Sequence, residues 1–412
     1  MVKRIAAILF IFVCTTIAWT VLGSTIFYRT YNSNSELRGR VSSNWGSPQE
    51  QTPPTATYRE KFSKQVASVE NGKAITRIEE SQKLRTLPLQ KSRVNVGLHL
   101  DYRRKGLLWY SAYRVQFAGA YEFLNPDDVP RSVTFTLHLP AEQAIYDDLA
   151  FSLNGVPLTV SNDKMDTYGT AWLQPHQKAL LTVAYNSQGL ESWKYNFGGG
   201  VSQVRDFELR ATTDFGGFDF PETTLSPAEE RPIANGWELV WNYKNLVSGY
   251  TIGLSMPRKL QPGPLAGRIS YFAPVSLLFF FFVLFTLTTI RGIELHPMNY
   301  FFLACAFFSF HLLMAYLADH ISINVAFAIC SCVSVFLVVS YLRLVVGLRF
   351  AAVEAGIAQL VYLVLFSYAF FFEGYTGLAI TIGAILSLFV AMQVTGRIRW
   401  AEKFAPRTAS PT

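Results

Sequence analysis

Two kinds of hydrophobic pattern share this chain. Near the N-terminus and in the last third, apolar residues run almost unbroken. Between them apolar and polar residues alternate. The unbroken runs are Ile5–Tyr28, Ile269–Ile290, Asn299–Leu317, Ile321–Leu342, Phe350–Phe372 and Thr376–Val394. Each has about 19 residues or more, enough to cross a hydrocarbon core of roughly 30 Å as a helix. Inside that core a backbone must satisfy its own hydrogen bonds, so six membrane helices are predicted. The first run is read as an uncleaved anchor. It is longer than a signal-peptide core, lacks an Ala-x-Ala-like site and is followed directly by Arg29.

The middle of the chain has a period of two. In Trp109–Phe123 the large residues Trp109, Tyr113, Val115, Phe117, Tyr121 and Phe123 fall on one face and Arg114, Gln116 and Glu122 on the other. Val133, Phe135, Leu137 and Leu139 repeat the pattern, as do Leu181, Val183 and Tyr185, then Phe207, Leu209 and Ala211, then Trp237, Leu239 and Trp241. Alternation of this kind marks half-buried strands. Asn71-Gly72 and Asn154-Gly155 lie between such runs and predict two tight hairpins. Many short strands with turn signals predict an antiparallel, β-sandwich-like domain. The fold class expected is therefore membrane α plus β. One N-terminal helix (1–28) leads through a polar connector (29–58) to a β-rich domain (59–268). A bundle of five helices (269–396) and a short tail (397–412) follow.

Charge settles the expected orientation. Lys3 and Arg4, Arg291, Arg343 and Arg349, and Arg397, Arg399, Lys403 and Arg407 all flank the helices on one side, while the alternate turns Ala318–His320 and Glu373–Tyr375 hold no Lys or Arg. Basic residues in short loops stay cytoplasmic, so both termini are placed inside and the β domain outside. Much of the net charge of +7 is then topological, and nucleic acid is not expected as a partner. The four cysteines all lie in apolar runs, which excludes a disulfide framework in the β domain.

Catalytic motifs are sparse. Asp214-Phe215-Gly216 spells a kinase triplet, but no other kinase element accompanies it, and a strand-end turn is the simpler reading. Gly198-Gly199-Gly200 lacks phosphate-binding spacing. His99, His138 and His176 have no metal-ligand spacing. The run Arg103-Arg104-Lys105 fits either a solvated turn or an anionic lipid or glycan contact. Neither a cofactor nor a metal is expected.

The candidate functional residues are Glu354, His311, Asp319 and His320. Glu354 is the acidic residue well inside an apolar run, and carboxylates there are costly to bury. A structural role is expected for it, through pairing near the cytoplasmic end. Arg349, five residues earlier, lies about 140° around the helix, a poor position for a pair. Arg343, at the end of the preceding helix, is the expected partner. His311 reads as a histidine hydrogen-bonded between helices. Asp319 and His320, with Glu373 on the other outer turn, form either a site at the outer membrane face or simple helix-end polar residues, and the second is favoured.

The run Leu295-His296-Pro297-Met298-Asn299-Tyr300-Phe301-Phe302-Leu303, then Tyr316-Leu317-Ala318-Asp319-His320 leading into Ile323–Phe327, closely resembles the membrane region of the CreD family. Arg104–Tyr110 with Tyr113-Arg114-Val115, and Leu246–Tyr250 with Met256-Pro257, are similar to it too. The resemblance implies a Gram-negative inner-membrane protein linked to cell-envelope integrity, and carries no catalytic residues. It places the β domain in the periplasm. The leading expectation is a non-enzymatic protein, embedded in the lipid bilayer, whose β domain binds a periplasmic or membrane partner or a glycan and whose helices form a homo-oligomer. The alternatives are a transporter or channel with a β vestibule, and a membrane enzyme acting on lipid or peptidoglycan.

Overall fold

The computed structural model describes residues 2–396 except 71–72, 106–107, 143 and 199–201. Asn71-Gly72, Gly199-Gly200 and the tail 397–412 therefore lie outside the described residues. Contacts divide the chain into two compact units. The helical unit holds residues 1–36, 106–108 and 260–412, and the β unit holds residues 37–105 and 109–259.

Among the described residues six helices are long and apolar enough to cross a membrane. The helices are α1 (Val2–Trp45), α2 (Pro262–Arg291), α3 (Pro297–His320), α4 (Ile323–Val346), α5 (Phe350–Phe371) and α6 (Thr376–Thr395). Their placement follows the apolar runs, with α2 starting a turn or more early at Pro262, where the missing N–H is harmless. Gly292, in the left-handed region at φ +69°, ends α2. Within the helical unit α1 seats Trp19 against Phe307, Phe308 and His311, and Ser24 bonds the Tyr271 hydroxyl at 2.7 Å. Helix α5 is irregular, with π-helical turns over Phe350–Ala355 and Leu360–Leu365. Such turns leave backbone register shifted and recur at functional positions.

Sixteen strands form among the described residues: β1 (Gln49–Gln51), β2 (Thr55–Glu70), β3 (Lys73–Thr86), β4 (Leu89–Lys105), β5 (Leu108–Leu124), β6 (Arg131–His138), β7 (Tyr146–Leu153), β8 (Val156–Pro157), β9 (Ser161–Asp163), β10 (Asp166–Leu173), β11 (Lys178–Leu190), β12 (Ser192–Tyr195), β13 (Ser202–Thr213), β14 (Glu229–Ile233), β15 (Gly236–Ser248) and β16 (Ile252–Ser255). They build three sheets, ordered β1-β12-β16, β3-β2-β6-β10-β9 and β14-β15-β13-β4-β5-β11-β7-β8. Pairing is antiparallel as expected, save for two parallel pairs, β1 with β12 and β13 with β4. One apolar core joins the sheets, and the alternating residues fill it. Tyr113, Val115, Phe117, Tyr121 and Phe123 of β5 meet Val133, Phe135 and Leu137 of β6 and Leu209 and Trp241 of β13 and β15 there. The second hairpin forms as expected, with Asn154 at φ +51° and Gly155 at φ +82° between β7 and β8.

The stretch expected as a connector, 29–58, is ordered instead. Helix α1 continues to Trp45, and β1 follows. Extending a helix already nucleated by its apolar half adds one bond per residue fixed, so a polar continuation forms readily. Gly46 stops it at φ +88°, where an added Cβ would lie 2.3 Å from the Gln188 carbonyl oxygen. The composition of β1 hid it, because its inward residues are glutamines. Gln51 is fully buried, donates to the His138 carbonyl at 3.0 Å and accepts from the Tyr185 hydroxyl at 2.7 Å. Gln51→Ala leaves that hydroxyl buried without its acceptor, and a stability loss of about 1–3 kcal/mol is expected. A double-mutant cycle with Tyr185→Phe, read by denaturant unfolding, checks it. The pair should recover part of the loss, and strict additivity would show the bond to be unimportant.

Candidate functional site

The site is built on the face of the eight-stranded sheet turned away from the core. On β5 the side chains of Arg114, Gln116 and Ala118 alternate with the buried Tyr113, Val115 and Phe117. Register then sets cross-strand rows. Gln116 pairs with Asn186 of β11, and Asn186 with Asp147 of β7. Arg114 pairs with Gln188, and Ala118 with Ala184. On β4 the matching position is Gly97, where an added Cβ would lie 3.4 Å from Gln116 Oε1 and 3.8 Å from His99 Nε2. Small residues between long polar ones leave a trough of about 520 Å3, lined by His99, Arg114, Gln116, Asp147, Asn186 and Gln188 among others.

Its chemistry combines amide hydrogen-bonding groups with one cation, Arg114, and one carboxylate, Asp147. Arg114 makes no hydrogen bond or ion pair among the described residues, so its five N–H donors face solvent in the trough. Asn186 Nδ2 donates to Asp148 Oδ2 at 2.9 Å, which orients its amide. His99 Nδ1 faces Asp214 Oδ2 at 3.4 Å, and Asp214 Oδ1 accepts from the Leu100 amide at 2.9 Å. Asp214, directly after the last residue of β13, thus ties that strand's end to the middle of β4, in keeping with its reading as a strand-end residue. Among the described residues no three His, Cys, Asp or Glu side chains gather as metal ligands.

None of the four residues singled out from sequence lies in this trough. Glu354 pairs with Arg291, at the end of α2, rather than with Arg343 or Arg349. The expected partner fails because α5 turns this face toward α2, and Arg291 lies on the stripe that continues Val283 and Leu287. His311 is buried, and its hydrogen bond lies within α3 rather than between helices as expected: Nδ1 is 3.2 Å from the Phe307 carbonyl one turn earlier, and the ring is enclosed by Trp19, Phe307 and Phe310. Asp319 accepts from Arg29 at 2.9 Å, and Glu373 lies 3.6 Å from Arg268. These two carboxylates are each tied to a different arginine, and exposed His320 occupies the last turn of α3. Nor is Arg103-Arg104-Lys105 a free basic patch. Arg103 pairs with Asp101, Arg104 lies over Trp109 at 5.9 Å, and Arg103 and Lys105 lie over Trp45.

The residues missed were Arg114, Gln116, Asn186 and Gln188. The readable signal was an outward row of long polar residues beside Gly97, Ala118 and Ala184, but which strands adjoin is a tertiary fact. A second missed pair is Gln359 and Ser334, both fully buried in the helical unit, with Gln359 Nε2 donating to Ser334 Oγ at 2.8 Å and Ser334 Oγ to the Ala306 carbonyl at 3.0 Å.

No curated protein matches the chain. Solved structures give weak likenesses. A Legionella pneumophila protein described as a candidate nutrient-binding protein is 9% identical, with a TM-score of 0.31 over 47% of this chain and 73% of its own. An M1 zinc metallopeptidase from Deinococcus radiodurans is 10% identical, with a TM-score of 0.26 over 80% of this chain and 97% of its own. At those scores neither carries an argument. Residues 241–401, from Trp241 in β15 through α6, match the model of the family described as inner membrane protein CreD.

Proposed function

We propose that this protein is a CreD-family, non-enzymatic component of the cell envelope. Its helices hold it in the inner membrane, and its β unit, exported to the periplasm, binds an envelope glycan in the trough of the eight-stranded sheet. The observation that carries the reading is Arg114, a guanidinium without a partner among the described residues, set in a concave surface among the amides of Gln116, Asn186 and Gln188. Amides and a guanidinium suit hydroxyls and a carboxylate, which a guanidinium grips through two parallel hydrogen bonds. Polar ligands are held by a few such convergent groups. The test is binding of peptidoglycan-derived oligosaccharides to the full chain in detergent, followed by saturation-transfer NMR. Wild-type protein should show transfer to the sugar. Arg114→Gln should weaken binding about tenfold, the effect of losing about 1.4 kcal/mol. Equal binding by Arg114→Gln removes the trough from the mechanism.

Orientation is part of the same reading and rests on the one-sided Arg and Lys loops. In a background lacking the four native cysteines, His320→Cys and Tyr375→Cys should react with an impermeant maleimide on intact cells. Ile293→Cys and Leu348→Cys should react only after lysis. The reverse pattern would put the β unit in the cytoplasm.

Transport is the second reading, favoured by the buried Gln359–Ser334 pair beside the π-helical turns of α5. It predicts that Gln359→Leu accumulates normally yet is as inactive as a deletion.

A further inference from the structure

Helices α2, α5 and α6 enclose an apolar groove in the helical unit, with a volume of about 740 Å3. Its walls are Val283 and Leu287 of α2, Ile357 and Val361 of α5, and Leu386 and Val390 of α6, among others. The helices approach closely at one crossing, where a Cβ on Gly383 would lie 3.3 Å from the Phe366 ring. From there toward Glu354 the groove stays open, and no residue of α6 is buried. Both π-helical segments of α5 contribute residues to its wall.

Three observations identify the occupant. First, the wall belongs to spans long and apolar enough to cross a membrane, where the surrounding fluid is lipid. Second, the lining of the groove runs along α5 from Val353 to Phe372, and the stretch between Glu354 and the crossing at Phe366 is about 18 Å of it at the helical rise. One leaflet of a roughly 30 Å core is about 15 Å deep, so this stretch next to Glu354 matches a single acyl chain. Third, the open end carries opposite charges. Glu354 lines the groove with 20% of its side chain exposed and is ion-paired with Arg291, which is 59% exposed. Arg291 Nη2 donates to one carboxylate oxygen of Glu354. A guanidinium has five N–H donors, so others remain for a phosphate, and the second carboxylate oxygen of Glu354 remains for a cation.

We infer that this groove is a phospholipid site selective for a headgroup that carries both a phosphate and a primary ammonium. The acyl chain lies between α5 and α6, the phosphate meets Arg291, and the ammonium donates to Glu354. A zwitterion of this kind lets both protein charges keep a partner. A choline headgroup has no N–H to donate, and a glycerol headgroup leaves the carboxylate facing a phosphate. The site is independent of the glycan reading.

The experiment is native mass spectrometry of the full chain released from mild detergent. It is incubated with equal amounts of phosphatidylethanolamine, phosphatidylcholine and phosphatidylglycerol of identical acyl chains. Retained ethanolamine lipid should exceed either of the others at least fivefold. Glu354→Gln, which keeps the side-chain shape, should bring ethanolamine and choline lipids to within twofold of each other. Ile357→Trp fills the groove at an exposed position without touching either charge, and should lower all lipid adducts severalfold while the protein stays monodisperse. Equal retention of the three lipids, preference for phosphatidylglycerol, or unchanged selectivity in Glu354→Gln would each overturn the headgroup assignment. Undiminished adducts on Ile357→Trp would overturn the groove.

Discussion

Trp241→Ala is expected to destabilise the β unit by about 3–5 kcal/mol, the usual range for removing a large buried aromatic side chain. Trp241 is fully buried on β15, opposite Leu209 of β13. Its indole Nε1 donates to the Leu225 carbonyl at 2.8 Å. That bond ties down the irregular stretch between β13 and β14, which is held also by Leu225 N to the Thr251 carbonyl and by reciprocal bonds between Asp219 and Ser255. Alanine therefore removes core volume and orphans a carbonyl at once. Trp241→Phe keeps most of the ring packing and loses only the bond, so a smaller loss of about 1–2 kcal/mol is expected. Thermal unfolding of the full chain in detergent, followed by tryptophan fluorescence, separates the two. At roughly 2–4 °C per kcal/mol for a unit of this size, alanine should lower the midpoint by about 6–20 °C. A change below about 2 °C for alanine would mean that the core does not close over β15.

The membrane spans and most strands were legible because each rests on a local period. Val133, Phe135 and Leu137 alternate in sequence and are all fully buried. The apolar runs all became helices, four of them within a few residues of their expected ends, while α1 runs on to Trp45 and α2 starts seven residues early at Pro262. What escaped were features set by distant partners. Gln49 and Gln51 look like connector residues, yet both are buried on β1 because Ser187, Gln188, His138 and Tyr185 supply their hydrogen bonds. The parallel pairing of β13 with β4 joins segments far apart in the chain, and no local signal announces it. The same holds for the sites. Glu354 stood out as a carboxylate in an apolar run, but its partner Arg291 was hidden by helix packing. Arg114 was read correctly as outward-facing. That it lacks a partner among the described residues and faces a trough follows only from the register of β4, β5 and β11.

Raising the pH above about 10 should unfold the β unit cooperatively, because its core holds tyrosines that cannot ionise in place. Tyr113, Tyr121, Tyr185 and Tyr195 are almost wholly buried. Burial pushes the Tyr146 phenol up to about 12 and holds the other four well above the ordinary tyrosine value. Their protons are in use. Tyr113 donates to the Ser192 carbonyl at 2.7 Å, Tyr146 to the Ala141 carbonyl at 2.8 Å and Tyr185 to Gln51 Oε1 at 2.7 Å. In the unfolded chain the same phenols titrate near 10. Each folded value is raised, so the stability it confers is complete below about pH 10 and drains away as pH climbs toward the folded value. The slope is about 1.4 kcal/mol per pH unit for each tyrosine that stays protonated in the fold. Several acting together exhaust the stability of an ordinary domain, about 5–15 kcal/mol, within one or two pH units. Phenolate absorbance and tryptophan fluorescence of the full chain, recorded in one alkaline titration, read this directly. The buried phenols should ionise in a single step that coincides with the fluorescence change. Tyr146→Phe, which removes one raised phenol, should make stability fall less steeply with pH by about 1.4 kcal/mol per unit between about pH 10 and 12. Complete phenolate formation near pH 10 with native fluorescence retained would show that water reaches these rings, and the closed core described here would be wrong.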